Sequence, residues 1–263
     1  MKVISVLKDV LSLTAWEMET PKPYSAFHLA LCAAGIPLAV LAARRLAKKR
    51  GAAPKAVLFS CGLFLLFLEL YKQAFLFFIE FDGHFNWWYF PFQLCSIPMY
   101  LCLLYPQSGK YSSVFSTFIQ DFGLLGGIMA LAVPAGLMHP YWTMTLHGFL
   151  WHFLLIFLGL YCGMSGLSSH SLRGYAETLP IFFLCCIAAL AVNTAAGPSS
   201  GADMFYISPF HPSSQPVFHK ISMELGIFPG ILLYIAAMAA GAFLVHCIMG
   251  MLSARIFKSY QKS

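Results

Sequence analysis

Two residues of this chain, Cys95 and His152, are of types that together can do nucleophilic chemistry. A thiol at its ordinary pKa is mostly protonated and attacks poorly. A histidine within hydrogen-bond reach can take that proton, and a third polar group can fix the imidazole tautomer. The thiolate then attacks an acyl carbonyl and forms a thioester. Asn193 is the candidate third member, with Gln93 as the other group able to orient the base or stabilise an oxyanion. Each residue also has a plainer reading. A cysteine in an apolar helix is more often a small hydrophobe, and an intramembrane histidine is more often an interhelical hydrogen-bonding residue.

The elements that must position these groups follow from composition. Of the 263 residues, 59% are hydrophobic and only 10% are charged, against roughly 45–50% and about 25% in soluble domains. So few charges could not cover a water-soluble fold of this size, and disorder is excluded on the same ground. The chain reads as all-α, a polytopic transmembrane helix bundle of one domain. Seven apolar segments lie near 25–43, 57–81, 89–105, 114–138, 145–163, 177–196 and 222–250. Each approaches or exceeds the roughly 20 helical residues that a bilayer requires, except the third, which is short. Residues 1–20 have an irregular amphipathic rhythm and read as an interfacial helix ended by Pro21 and Pro23. Residues 21–250 then form the seven-span domain, and 251–263 a basic cytoplasmic tail. The 197–220 connection, rich in Gly, Pro and Ser, reads as a partly re-entrant loop.

Depth can be counted from these boundaries. Cys95 lies about two turns into the third span from its outer end at Tyr89, and His152 about two turns into the fifth from the same side. His147 is about one and a half turns nearer the surface. Asn193 is near the outer end of the sixth span, so one polar pocket could hold Cys95, His152 and Asn193 beneath the 197–220 loop.

Charge sets the expected orientation. The net charge of +6 does not point to nucleic acid, because the basic residues bunch at Arg44, Arg45, Lys48, Lys49, Arg50 and Lys55 between two apolar runs. That is the pattern of a cytoplasmic loop. With it inside, the N-terminus is outside and the C-terminus inside, in the cell membrane. Eleven Lys and Arg residues then face the cytoplasm and four the other side. The eight cysteines form no CxxC pair, and neither a disulfide framework nor a zinc site follows. No metal or cofactor is called for, and Asp9, Glu17 and Glu19 interrupt any signal-peptide pattern.

Ionisable groups inside a bilayer are expensive. Glu69 and Lys72 are three residues apart on one face of the second span, an internal ion pair that could also orient a polar site. Asp121, beside Gln120, reads as a hydrogen-bonding post or as a partner for Lys72. Glu224 and His246 are near the ends of the last span, where snorkelling explains them. Glu69, Lys72, Asp121 and His152 also suggest a rival class, a small-molecule transporter or binding protein with a polar trail across the bundle. An enzyme acting on lipids needs its polar residues clustered near one interface; a carrier needs them in both halves.

The segment Trp88-Tyr89-Phe90-Pro91-Phe92-Gln93-Leu94-Cys95-Ser96 resembles the opening of the third span in the YwaF / transmembrane protein 164 family of integral membrane proteins. Phe149-Leu150-Trp151-His152-Phe153-Leu154-Leu155 is similar to that family's fifth-span histidine segment. Asn193, with Asp203-Met204-Phe205-Tyr206 and Pro209 after it, is similar to its Asn-bearing stretch and outer loop, although the order Asp-Met-Phe-Tyr departs from the family's Asn-Tyr-Met. The resemblance implies a seven-span bundle and lipid acyl transfer through Cys95 and His152. The expected partners are membrane lipids or another acyl donor. Gln93, His147, Tyr206, Glu69, Lys72 and Asp121 are the expected substrate-binding residues.

Overall fold

In hydrocarbon a backbone must satisfy its own N–H and C=O groups, so long apolar runs have little choice but to become helices. In the computed structural model, which describes residues 2–49 and 53–260, six runs do so at crossing length. They are Ala26–Lys48, Pro54–Glu80, Gly109–Ala132, Trp142–Met164, Leu172–Ala196 and Ile227–Ser253. Arg50 of the basic loop and residues 261–263 of the tail lie outside the described residues.

The helices are α1 (Lys2–Ser12), α2 (Ala26–Lys48), α3 (Pro54–Phe75), α4 (Ile97–Leu104), α5 (Ser112–Phe118), α6 (Leu124–Ala132), α7 (Trp142–Met164), α8 (Leu172–Ala176), α9 (Leu179–Ala196), α10 (Pro216–Leu225) and α11 (Ile227–Tyr260). Two π-helical turns extend or join them. Leu76–Glu80 continues α3, and Ile119–Gly123 links α5 to α6.

The third expected segment is where the bundle departs from regular spans. It is helical only from Leu94 to Gln107, as a 3-10 turn, α4 and a second 3-10 turn. That is about 21 Å of rise, short of the roughly 30 Å hydrocarbon core. Proline explains the truncation. Pro91 removes a donor ahead of the helix, Pro98 sits in the first turn of α4, and Pro106 opens the closing 3-10 turn. Residues 90–93 run non-helically, so irregular backbone enters at membrane depth. The last segment also differs from expectation. Gly226, at φ 94°, separates α10 from α11, so the final span starts at Ile227 rather than 222.

The N-terminal residues lie at the α7 start. Trp142 N–H donates to Trp16 O (2.9 Å), Met18 N–H to Pro140 O (2.8 Å), and Lys8 pairs with Asp82 at 3.1 Å. α1 itself ends at Ser12, earlier than the expected 20, and leaves Val6, Leu7 and Val10 exposed. At the other end of the bundle α11 meets Ser171, beyond the close of α7. Residues 16–18 and His246 of α11 thus lie toward opposite ends of α7.

α7 is the central helix. Within its apolar window 67% of residues are buried by the rest of the protein, against 17% for α2. Small residues allow the close approaches around it, as expected where lipid removes any hydrophobic drive between helices. A Cβ on Gly127 of α6 would lie 3.1 Å from the His152 carbonyl oxygen, and one on Gly159 of α7 would lie 2.8 Å from Leu124 Cβ.

Candidate functional site

Cys95 sits in the 3-10 turn that restarts the third pass, directly after the non-helical stretch. Backbone of this kind is tolerated at membrane depth only where protein supplies its partners. Here it does. The Tyr100 hydroxyl donates to Pro91 O at 2.6 Å, and the Trp151 indole of α7 donates to Cys95 O at 3.1 Å. Cys95 is half-buried and packs against α6 at Gly126, where an added Cβ would stand 3.8 Å from its own.

A second irregular segment, residues 202–214, lies against the first. Two amides hold it. Gln93 donates to Asp203 O (3.0 Å) and accepts from Phe205 N–H (2.8 Å). Asn193 donates to Met204 O (3.1 Å) and accepts from Met204 N–H (2.7 Å). Asp203 then organises the loop from within, accepting from Ser208 N–H and from both the N–H and the hydroxyl of Ser214. Ala202, Asp203, Met204, Phe205, Ile207 and Ser208 are all buried. The loop is thus packed into the protein rather than spread over its surface.

Phe205 and Tyr206 occupy left-handed backbone, at φ 56° and 58°, a conformation that costs L-residues roughly 1–2 kcal/mol each. Stacking offsets this: Phe205 lies on Phe92, and Tyr206 meets Trp88 and Tyr234 edge-on, each with centroids 5.9 Å apart. Tyr206 is within electrostatic reach of Cys95, and burial is the main cause that pushes its phenol up to about 12. It remains a neutral donor at any working pH.

His152 donates from Nδ1 to Gly148 O, one turn earlier in α7, at 2.7 Å. Because a carbonyl only accepts, the proton is assigned to Nδ1 and the lone pair to Nε2. That is the tautomer a base needs, but the partner that fixes it is Gly148 and not Asn193. Among the described residues no hydrogen bond joins the Cys95 thiol to the His152 ring. His147 donates from Nε2 to Leu68 O (3.0 Å) and stacks on Trp151. Glu69 and Lys72 form the expected pair at 2.9 Å, and Gln73 donates both to Glu69 Oε1 (2.7 Å) and to Tyr89 O.

Asp121 does not join this group. Its partner is His246 and not Lys72. Asp121 Oδ2 lies 2.9 Å from His246 Nδ1, and Gln120 donates to Asp121 Oδ1 at 2.8 Å. Snorkelling does not account for His246, which is only 2% exposed. The π turn at 119–123 carries an extra residue per turn and alters the direction of its neighbours. Depth matching, the argument that relates Cys95 to His152, was the signal available in the sequence for this pair too. Trp151, the donor to Cys95 O, carried no signal beyond its place beside His152. Asp203 was visible only as an acidic residue in a polar loop. The expected polar trail therefore divides into two clusters with separate partners. Among the described residues no three His, Cys, Asp or Glu side chains converge as a metal site.

Comparison with known proteins bears on this arrangement. No curated protein and no solved structure matches the chain. The profile of the TMEM164 family matches residues 22–250, a range that takes in both irregular segments, α7 and the first 24 residues of α11. Matched over most of its length, this multi-pass membrane protein belongs to the TMEM164 family.

Proposed function

We propose that the protein is an integral-membrane acyl-transfer enzyme, with Cys95 as nucleophile and His152 as base and then acid. The observation that carries this reading is the helix break itself. Cys95 lies where irregular backbone is built into the membrane, beneath a clamped loop, with an imidazole on the adjoining helix whose Nδ1 is already committed. A structural cysteine in a regular helix needs none of this. His152 Nε2 takes the thiol proton and sulfur attacks the acyl carbonyl. The ester C–O bond breaks, and the imidazolium returns the proton to the departing alkoxide. In the second half an acceptor hydroxyl gives its proton to Nε2 and attacks the thioester; the C–S bond breaks and the thiol is restored.

Gln93 and Asn193 clamp the covering loop in this scheme, each through its amide oxygen and one amide N–H. The oxyanion is served by the first turn of the 94–107 helical stretch and by the neutral Tyr206 phenol. Glu69, Lys72, Gln73 and His147 form the polar wall. The acyl chain reaches Cys95 laterally from the bilayer, so lipid is the partner. The basic 44–55 loop, read as cytoplasmic, supports a site in the outer half of the cell membrane.

The test is acyl labelling of the purified protein with a thioester-forming acyl probe. Wild type should carry a hydroxylamine-labile label. Cys95→Ser should lose it with an unchanged melting temperature, and His152→Ala should slow it by about 10²–10⁴-fold. A folded Cys95→Ser protein that labels like wild type overturns the reading.

A further inference from the structure

At the end of the bundle away from Cys95, a second polar cluster is left unused by acyl transfer. His246 of α11 has Nδ1 at 2.9 Å from Asp121 Oδ2 and Nε2 at 3.1 Å from Ser171 O. Asp121 lies fully buried in the π turn, and Ser171 caps α8 through its hydroxyl, which accepts from Gly174 N–H. The titratable groups facing His246 from the elements packed on it are Asp121, His170 and Tyr175. The His170 and Tyr175 rings stand 6.4 and 5.6 Å away, and the Tyr175 hydroxyl donates to Ala239 O.

Proton counting gives this geometry a consequence. A backbone carbonyl only accepts, and so does an ionised carboxylate. Two ring nitrogens that face these two acceptors need two protons between ring and carboxyl. Imidazolium with carboxylate, or neutral ring with carboxylic acid, both meet that count. Removal of one proton turns a lone pair against an oxygen. Gln120 and His170 stand beside the pair. The π turn also packs directly on α7, where a Cβ on Gly163 would lie 2.6 Å from Gln120 Oε1.

We propose that Asp121 and His246 form a proton-binding latch. With the proton bound, the last span is held to the π turn of the fourth and to Ser171; with it lost, that end of α11 is released. The inference does not depend on acyl transfer, and its test reads no labelling.

Hydrogen exchange and thermal unfolding of the full chain in nanodiscs, between about pH 6 and pH 9, test it. The latched state holds one proton more than the released one, so stability should fall as pH rises. Exchange in residues 168–174 and 244–250, corrected for its intrinsic pH dependence, should rise about tenfold per pH unit once the proton is lost. Residues 97–104 should keep their protection. Asp121→Asn and His246→Gln should flatten the pH dependence of the melting temperature. If these variants do not fold, the wild-type exchange profile alone decides. Uniform protection at all pH values, or variants that keep the wild-type slope, overturns the latch. A slope lost in His170→Gln but kept in His246→Gln overturns it as well, because the proton would then belong to His170.

Discussion

Replacing Asn193 by Leu removes one of the two clamps on the loop that covers Cys95 while keeping the side-chain volume. Asn193 is fully buried and gives both ends of its amide to Met204. Without it, one N–H and one C=O are stranded in an apolar setting, at about 1–3 kcal/mol each. Left-handed Phe205 and Tyr206 are poised to relax once released, while Gln93 still holds Asp203 and Phe205. Taking the lower end for both stranded groups, the open loop gains about 2 kcal/mol relative to the closed one. At tenfold per 1.4 kcal/mol, alkylation of Cys95 through the open state should accelerate about 30-fold. The assay is the rate of N-ethylmaleimide modification at Cys95, followed by peptide mass spectrometry in membranes. A rate within about twofold of wild type, in a protein that still folds, would refute the view that the 202–214 loop is held over the thiol by hydrogen bonds.

Two further outcomes follow from the same structure. Glu69→Gln or Lys72→Met alone should destabilise the protein by about 3–5 kcal/mol, because the partner charge is left in the bilayer, and the double change should cost less than either. Thermal unfolding of the three variants checks this, and a double variant no better than the worse single one disproves pairing. Reporter fusions at residue 50 and at residue 263 should both report the cytoplasm, with a fusion ahead of residue 2 on the opposite side; opposite signals from 50 and 263 would refute the orientation.

The length of its apolar run made the short third pass legible in outline, yet the exchange of its helical turns for non-helical backbone at 90–93 was not. Periodicity also runs smoothly through 222–250, and only the positive φ of Gly226 shows why the chain turns before the last span. Gln93 and Asn193 were recognised as polar groups at the right level. Their amides are engaged with backbone that comes from 110 and 11 residues away.

The amino-acid sequence by itself determined the all-α membrane class, the succession of apolar passes, the Glu69–Lys72 pair and the similar depth of Cys95 and His152. All of these depend on distance along a helix axis, which residue counting measures at about 1.5 Å per residue. Tertiary structure decided which buried polar groups meet. It gave Gly148 to His152, Met204 to Asn193 and His246 to Asp121. Those partners depend on how each helix is rotated about its own axis. That rotation is set by close approaches at glycines such as Gly127 and Gly159 and by the extra residue of the π turn at 119–123. Depth is linear in the sequence and azimuth is not, so the level of each polar group could be read in advance and its neighbour could not.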